Sequence, residues 1–485
     1  MEMMKIADHK RFQANGNEFV FMTQTGSIFE IETGSETQAV LNHDISQRTF
    51  TKQDVYSILK GTRSDKDSLW NDLAKNRVLA PQELPENKPL QHFPEIPLKT
   101  LVLHVTEACN LGCHYCYHNP ENTNKSLGLN KTPDLSMEFK VAKKAVDFLF
   151  EHSRGLEELV LVFFGGEPLL NLNLISKTVT YANEKARENA KTIEYAMTTN
   201  GTLLTDKAIH FLNENKIGTT VSLDGLEAVH DRFRQFPDGS PSYKVILPKI
   251  KKFLGKENPK PVVARVTLAK DAKDISRTLY HLLGLGFSEV GFAPVTTMDT
   301  DFQLDAHQMT SLLEQFVHLS ETFINLALKD EFLGFTNLVD LLVTLHEGEV
   351  KQYPCGAGIG MFSVDPKGGL FLCQRLTHDD SARMGDIFDG LDREKLGTFR
   401  LDAGLDKKSD CKGCWAASIC AGGCYHEAKI REGDLLLPNL HYCQWIKTWI
   451  ATGLNVYGRL MKQAPSFLDK LSMLRGHEPL FNPLV

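Results

Sequence analysis

Three cysteines in one short segment are the residues of this sequence best suited to chemistry. Cys109, Cys113 and Cys116 follow a short apolar run with the spacing C-x3-C-x2-C. Three thiolates are one fewer than a four-iron cluster uses, so a cluster held here would keep one iron open. An open iron is a reaction site rather than a structural clip. The alternative is a zinc loop completed by His114 or His118, although zinc loops usually use paired C-x2-C segments.

Seven further cysteines lie in the last third of the chain. They are Cys355, Cys373, Cys411, Cys414, Cys420, Cys424 and Cys443. The first residues lack the apolar segment of a signal peptide, so we expect a cytoplasmic protein. Thiols stay reduced there, and the ten cysteines are better interpreted as metal ligands than as disulfides.

Composition narrows the class of protein. The chain has 485 residues, of which 42% are hydrophobic and 24% charged, as in ordinary globular domains. Its net charge of −7 argues against a general nucleic-acid binder. No apolar stretch approaches membrane-spanning length, so we expect no membrane partner.

The pattern along the chain predicts an α/β protein of several parts. We expect a small winged-helix-like module, a proline-rich linker, a domain of alternating strands and helices, connecting helices, a cysteine-rich domain, and a C-terminal helix with a tail. Their predicted bounds are 1–80, 81–97, 98–305, 306–346, 347–445 and 446–485.

The predicted domain of alternating strands and helices, 98–305, indicates where an active site would lie. Six apolar runs, at 100–105, 159–164, 193–198, 219–223, 262–268 and 290–295, alternate with five helical segments. Such a βα repeat predicts a parallel sheet with right-handed crossovers. Six units are too few for an eight-fold barrel, so we expect a partial barrel. Its active site should lie at the carboxyl ends of the strands, where the three-cysteine loop also falls.

The second strand ends in a further candidate segment. Gly165 and Gly166 allow a ligand to approach the backbone closely. Glu167 offers a carboxylate to an ammonium group. By itself the segment is also compatible with a turn before a helix that begins at Pro168.

Together, the cysteine spacing and Gly-Gly-Glu-Pro resemble the radical S-adenosylmethionine (SAM) enzymes. The resemblance implies a [4Fe-4S] cluster on Cys109, Cys113 and Cys116 whose open iron chelates SAM. It also implies SAM contacts from other strand ends, with Ser222 and Arg265 facing the SAM carboxylate. The implied SAM-binding residues are Tyr115, Gly165, Gly166, Glu167, Asn200, Ser222, Arg265, Phe292 and Ala293.

The C-terminal cysteines resemble the SPASM extension of radical SAM enzymes that modify peptides. The resemblance implies two auxiliary [4Fe-4S] clusters, three clusters in all. One would be held by Cys411, Cys414, Cys420 and Cys443, and the other by Cys355, Cys373 and Cys424. The second set is one ligand short of four. A zinc ribbon is the alternative for the segment 411–424.

Several segments beyond the cysteines resemble one group of these enzymes, the maturation proteins of quinohemoprotein amine dehydrogenase. These segments are 109–113, 290–295, 354–358, 422–427 and 441–443. The resemblance implies a peptide substrate, the small γ-subunit precursor, in which a Cys sulfur is joined to a methylene carbon of Asp or Glu. It also implies an electron donor such as flavodoxin or ferredoxin and an N-terminal peptide-recognition domain, for which a structural extension is the alternative. Asp224 in Ser-Leu-Asp-Gly is our predicted general base, although Asp before Gly also suits a turn.

Other functions remain open at this point. One is a different SPASM reaction: sactipeptide synthesis, carbon–carbon cross-linking or formylglycine formation in sulfatases. The N-terminal module argues against the last, because oxidation of a short motif does not need it. A second class is a non-catalytic iron–sulfur electron carrier, which would not need Gly-Gly-Glu-Pro or the βα repeat.

Overall fold

The computed structural model describes residues 4–43, 49–81, 96–118, 135–270, 272 and 274–476. Most of the predicted proline-rich linker and the end of the predicted tail lie outside these ranges.

The N-terminal module consists of two small sheets and three helices. Its strands are β1 (Met4–Ile6), β2 (His9–Ala14), β3 (Asn17–Met22), β4 (Ile28–Ile31) and β5 (Leu79–Pro81), and its helices are α1 (Glu36–His43), α2 (Lys52–Ile58) and α3 (Arg63–Lys75). Strands β2, β3 and β4 form an antiparallel sheet, and β1 pairs with β5. Asn15 and Gly16 both have positive φ and form the two-residue turn between β2 and β3. The pair β1–β5 was not predicted, because strands of three residues carry no periodicity.

Six parallel strands form the centre of the protein. They are β6 (Thr100–Thr106), β7 (Glu158–Gly165), β8 (Thr192–Thr199), β9 (Gly218–Ser222), β10 (Val262–Leu268) and β11 (Glu289–Pro294). They lie side by side in chain order, and each matches one predicted apolar run. The predicted partial α/β barrel is therefore confirmed.

Helices cover one face of this sheet. They are α4 (Phe139–His152), α5 (Leu172–Glu188), α6 (Asp206–Glu214), α7 (Glu227–Phe233), α8 (Tyr243–Leu254) and α9 (Ile275–Gly284). On β6, Leu101 and Leu103 belong to the large core beneath the helices, whereas Val102 packs with Val160 and Val162 on the opposite, interior face. Since side chains alternate along a strand, this pattern shows which residues line the barrel interior.

The sheet continues into the cysteine-rich region. Strand β12 (Met361–Val364) pairs in parallel with β6, so that Met361 lies opposite Thr100. Strands β13 (Gly369–Phe371), β14 (Arg383–Asp386) and β15 (Gly390–Leu391) follow in antiparallel order, which gives ten strands in one sheet. The predicted barrel and cysteine-rich domain thus share a sheet, and the domain bounds remain predictions.

The remaining helices pack around the barrel and the cysteine-rich region. They are α10 (Ala306–Ala327), α11 (Thr336–His346), α12 (Arg393–Asp402), α13 (Ala417–Cys420), α14 (Tyr425–Glu432), α15 (Cys443–Gln463) and α16 (Pro465–Arg475). Short 3-10 turns lie at Pro168–Asn171, Gln374–Leu376, Asp380–Ala382, Leu405–Lys407, Ser409–Cys411 and Leu440–Tyr442. The ring of Trp449 on α15 packs edge-on against Phe316 of α10, with 5.2 Å between ring centres. Within the described ranges, no helix combines the length and apolarity needed to cross a membrane.

Candidate active site

The three-cysteine loop leaves the carboxyl end of β6 and is fixed by backbone hydrogen bonds. Gly112 N donates to Gln235 O at 2.8 Å, and His114 N donates to Phe233 O at 3.0 Å. Cys116 N donates to Cys113 O at 3.1 Å, which turns the loop back on itself. The segment that follows α7 therefore supports the loop from the side.

Polar donors surround the sulfur atom of Cys109. Leu111 N lies 3.5 Å from this sulfur and Asn200 Nδ2 lies 3.7 Å from it. Burial raises the pKa of the Cys109 thiol to about 11 and that of Cys113 to about 12. Metal binding would deprotonate these thiols. Nitrogen donors that point at cysteine sulfur are a usual feature of iron–sulfur sites.

Gly165, the last residue of β7, and Gly166 are needed for contact with this loop. Gly166 N donates to Thr106 O at 2.9 Å. A Cβ atom on Gly165 would lie 2.1 Å from Thr106 O, and one on Gly166 would lie 2.2 Å from Ala108 O. Gly165 also has a φ of +125°. The close approach that the sequence predicts is therefore made by the protein's own backbone, and SAM contact by these glycines remains a prediction.

Glu167 is fully buried, and its carboxylate joins the end of β7 to the end of β8. Its carboxylate accepts hydrogen bonds from Thr199 Oγ1 at 2.7 Å, Asn200 N at 2.7 Å and Leu169 N at 3.1 Å. Burial raises the pKa of this carboxyl to about 7. The geometry fixes Asn200 beside Cys109. The predicted contact between Glu167 and an ammonium group stays a prediction.

Ser222 and Arg265 lie opposite each other in the register of β9 and β10. Both occupy interior-facing positions, because Val221, Ala264 and Val266 belong to the core beneath the helices. Arg265 makes no ion pair or hydrogen bond through its side chain among the described residues. Its pKa is lowered to about 10, first by burial and then by the neighbouring Arg375.

Phe292 and Ala293 lie on opposite faces of β11. Phe292 is 1% exposed, and its ring packs against Phe335 with 6.1 Å between ring centres. The Asn337 side chain accepts a hydrogen bond from Phe292 N and donates one to Phe292 O, both at 2.9 Å. The Phe292 ring therefore lies in the core beneath the helices, whereas Ala293 is on the interior-facing side, and SAM contact by either residue remains a prediction. Strand alternation explains this difference.

Asp224 joins the cysteine loop to β10. Its carboxylate accepts from Tyr115 Oη, from Arg234 Nε at 2.8 Å and from Thr267 N at 2.9 Å. Asp224 is 2% exposed, and the pKa of Tyr115 is raised, first by burial. The structure thus brings the predicted base within hydrogen-bond reach of Tyr115. Sequence reasoning missed Arg234, because no local motif marks it.

Comparison with known proteins identifies the barrel. The family model of the radical SAM superfamily matches residues 103–289, which run from β6 to β11. By this match, the barrel of this chain is similar to that of the radical SAM enzymes.

Three curated relatives are similar to this chain over different lengths. An uncharacterized protein, MJ0907 of Methanocaldococcus jannaschii, is 41% identical over 145 residues, 30% of this chain and 45% of the relative. The radical SAM cyclopropyl synthase TigE of Paramaledivibacter caminithermalis is 22% identical over 73% of each chain. A cysteine-type anaerobic sulfatase-maturating enzyme of Clostridium perfringens is 24% identical over 72% of this chain and 95% of its own. The chain thus spans less than half of the first relative.

Two solved structures resemble the radical SAM fold described above. One is a histidine-tagged form of anSMEcpe with bound AdoMet, with a TM-score of 0.64, 23% identity, and coverage of 79% of this chain and 98% of that one. The other is Streptococcus suis SuiB bound to precursor peptide SuiA, with a TM-score of 0.50, 16% identity, and coverage of 91% and 100%. At these identities the likeness concerns the fold alone.

The C-terminal cysteines lie near one another in two sets. Burial raises the pKa of Cys355 to about 12, with smaller effects from Cys424 and Cys373. Cys420, whose pKa is raised to about 11 by burial, has the other group as its neighbours, namely Cys411, Cys414 and Cys443. All ten cysteines are free. These thiol groupings fit the predicted cluster ligands, and ligation itself remains a prediction.

Lys408 lies between the two groups. It is 3% exposed, its Nζ donates to Ala421 O at 3.1 Å, and thiols of both groups act on its pKa. Burial is the first cause of that shift and lowers the pKa. Sequence analysis did not single out Lys408 or Arg375, because only the fold places them beside the cysteines.

Proposed function

We propose that this radical SAM enzyme forms thioether bonds within a peptide, between a Cys sulfur and a methylene carbon of Asp or Glu. The proposed substrate is the small γ-subunit precursor of quinohemoprotein amine dehydrogenase. The proposed cofactors are SAM and three [4Fe-4S] clusters, with flavodoxin or ferredoxin as the class of electron donor. The likeness to SuiB, which is bound to a precursor peptide, supports a peptide substrate.

The observation that carries the proposal is a pair of neighbouring arginines, neither of which forms a salt bridge with a carboxylate of the described residues. No carboxylate of the described residues lies within 4.0 Å of the guanidinium of Arg265 or of Arg375. The two guanidinium groups are close enough to repel each other, since Arg375 contributes to the lowered pKa of Arg265. Gly291 leaves room for Arg265, whose Nη1 would lie 3.4 Å from a Cβ at that position. Two neighbouring cations, of which Arg265 is on the interior face of the sheet, suit two anions, and guanidinium groups bind carboxylates well.

These two cations have separate roles in the proposal. Arg265, opposite Ser222, would bind the carboxylate of SAM. Arg375 lies next to Tyr117 and Cys373, and would bind the carboxylate of the substrate Asp or Glu. Binding that carboxylate would place the neighbouring methylene group in a fixed position. The arrangement therefore explains why an acidic residue would be selected.

The other residues handle the proton and the cofactor. Asp224, bonded to Tyr115 Oη, would accept the thiol proton of the substrate through that hydroxyl. Cys109, Cys113 and Cys116 would hold the first cluster, and Cys355, Cys373 and Cys424 the auxiliary cluster nearest to Arg375. A bound cluster with SAM supplies reductive cleavage of SAM and hence hydrogen abstraction from carbon.

The test uses the full chain, reconstituted anaerobically, with SAM, dithionite and the synthetic γ-subunit precursor. Each thioether removes two hydrogens from the peptide, and fragmentation locates the bond between a Cys and an acidic residue. A peptide with deuterium on the Asp and Glu methylenes should transfer deuterium to 5′-deoxyadenosine. An unmodified peptide beside active SAM cleavage would reject the proposed substrate.

Arg375 provides the residue-level test. Arg375→Gln should lower thioether formation at least ten-fold while SAM cleavage continues, because one carboxylate contact is lost. Arg383→Gln is the matched control, since the Arg383 side chain is 48% exposed on β14. Equal thioether yields in the two variants would contradict the role of Arg375.

Formylglycine formation is the second candidate. The alignment with a sulfatase-maturating enzyme covers 95% of that relative and supports this reaction. This alignment leaves more than a quarter of the present chain unmatched, however, whereas the fold match to SuiB covers 91% of the present chain. A sulfatase-motif peptide offered to the reconstituted enzyme decides between them, because formylglycine gives an aldehyde that reacts with hydrazines.

A further inference from the structure

One buried carboxylate at the base of the cysteine loop is surrounded by three imidazoles. Glu107 Oε1 lies 3.2 Å from His104 Nδ1, and Glu107 Oε2 lies 3.1 Å from His378 Nε2. His118 Nδ1 is 3.6 Å from the same Oε2. The Glu107 side chain is 5% exposed. These four residues come from β6, from both ends of the loop and from the cysteine-rich region.

His118 is the residue that points to a ligand. Its side chain is 9% exposed, and neither ring nitrogen has a hydrogen-bond partner among the described residues. A buried imidazole without partners is unfavourable, because each ring nitrogen is a donor or an acceptor that has left water. A metal ion in the space beside Glu107 would use one of these nitrogens.

The spacing suits a single ion. The ligand atoms of His104, Glu107 and His118 all lie within 4.8 Å of one another. Ligands bound at about 2.0–2.2 Å to one ion lie about 3–4 Å apart, so small side-chain movements would complete the site. The centres of the three imidazole rings are 5.3, 5.6 and 6.4 Å apart, close to the roughly 5–6 Å expected for rings around one ion.

The surroundings of His104 are those of a metal ligand. Its second ring nitrogen, Nε2, lies 3.1 Å from Thr377 Oγ1, which in turn lies 3.0 Å from Ser363 Oγ. A hydrogen bond to the distal nitrogen is the usual way in which a protein orients a metal-bound histidine. Nitrogen and oxygen donors together suit Zn²⁺ or Fe²⁺.

We propose that His104, Glu107, His118 and His378 bind one divalent transition-metal ion, separate from the cysteine sites. The ion would join the start and the end of the cysteine loop to the cysteine-rich region. The proposal does not depend on the peptide that the enzyme modifies.

The test measures zinc in the full-length protein after anaerobic reconstitution, when iron and sulfide occupy the cysteines. The protein is titrated with Zn²⁺, desalted, and analysed for zinc, iron and sulfide. We expect one zinc per chain with a nitrogen and oxygen shell at about 2.0–2.1 Å by zinc-edge X-ray absorption. A sulfur shell at about 2.3 Å, or no retained zinc, would overturn the proposal.

Variants assign the ligands. His378→Ala should weaken zinc binding at least ten-fold with iron and sulfide unchanged, because His378 lies outside the cysteine loop. His210→Ala is the control, since the His210 side chain is 80% exposed on α6. Glu107→Gln keeps the size of the side chain but removes its charge, and it should also weaken zinc binding. It serves as the second test if His378→Ala does not fold. Zinc binding equal to wild type in a folded His378→Ala or Glu107→Gln protein would refute the site.

Discussion

The contact between Gly166 and the cysteine loop allows one perturbation to be worked out in detail. In Gly166→Ala, the new Cβ would lie 2.2 Å from Ala108 O and 2.7 Å from Glu107 O. The loop backbone would have to move by about 1 Å or more to restore ordinary contact. Overpacking of this kind costs about 1–3 kcal/mol.

Two backbone hydrogen bonds are lost or stretched by the same movement. They are Gly166 N to Thr106 O and Glu167 N to Ala108 O, both 2.9 Å. At about 1 kcal/mol each, they bring the expected loss of stability to about 3–5 kcal/mol. A displacement of about 1 Å at a reacting centre lowers the rate about 100-fold. We therefore expect Gly166→Ala to reduce SAM cleavage by that factor.

The assay compares this variant with Gly284→Ala. A Cβ on Gly284, the last residue of α9, meets no heavy atom within 4 Å. Alanine favours a helix by about 1 kcal/mol over glycine, so the control should be at least as stable as wild type. Iron content and 5′-deoxyadenosine release are measured after identical reconstitution. Equal iron content and equal rates in the two variants would refute the steric argument.

Further predictions concern a buried acid, a buried ion pair and a cysteine. The pKa of Glu167 is raised from 4.5 to about 7, so the stabilisation that its neutral form gives the folded state is present below pH 4.5 and is lost as the pH rises towards 7. Between pH 4.5 and 7, the free energy of unfolding of the wild type, measured with denaturant, should fall by about 3 kcal/mol relative to that of Glu167→Gln. If the two proteins show the same dependence of stability on pH, this prediction is wrong. Arg475→Ala leaves the buried carboxylates of Glu289 and Asp340 without their cation and should lower the free energy of unfolding by about 3–5 kcal/mol. The control Lys470→Ala removes an ion pair that is more than half exposed and should lower it by less than about 1 kcal/mol. Similar losses in the two variants would argue against a role for the buried ion pair. Cys113→Ala should abolish 5′-deoxyadenosine release, measured by chromatography, and retained release would reject Cys113 as a ligand.

The sequence predicts the barrel well because its signals are local. Each of the strands β6 to β11 contains an apolar run, and residues after their carboxyl ends meet at one edge of the sheet. This rule places Glu167 and Asn200 beside the cysteine loop, as the structure shows. The grouping of the C-terminal thiols is implied by resemblance to the SPASM extension, and in the fold Cys355 neighbours Cys373 and Cys424 while Cys420 neighbours Cys411, Cys414 and Cys443.

Other features depend on contacts between distant residues. The pairing of β12 with β6 joins positions more than 250 residues apart, and no local pattern indicates it. His378 meets Glu107 for the same reason. Phe292 shows a different limit, because an apolar strand buried on both faces does not reveal which side chains point inward. The bonding of Asp224 to Arg234 also follows from tertiary structure.

The parallel pairing of β12 with β6 affects how the protein could be divided. A shortened chain that ended before β12 would leave the backbone amides and carbonyls on one side of Thr100–Leu103 without partners. Such an uncovered edge invites pairing with other chains and aggregation. We therefore expect the barrel and the cysteine-rich region to depend on each other for solubility, and a chimaera that combines these parts from two homologues would need compatible β6 and β12 edges.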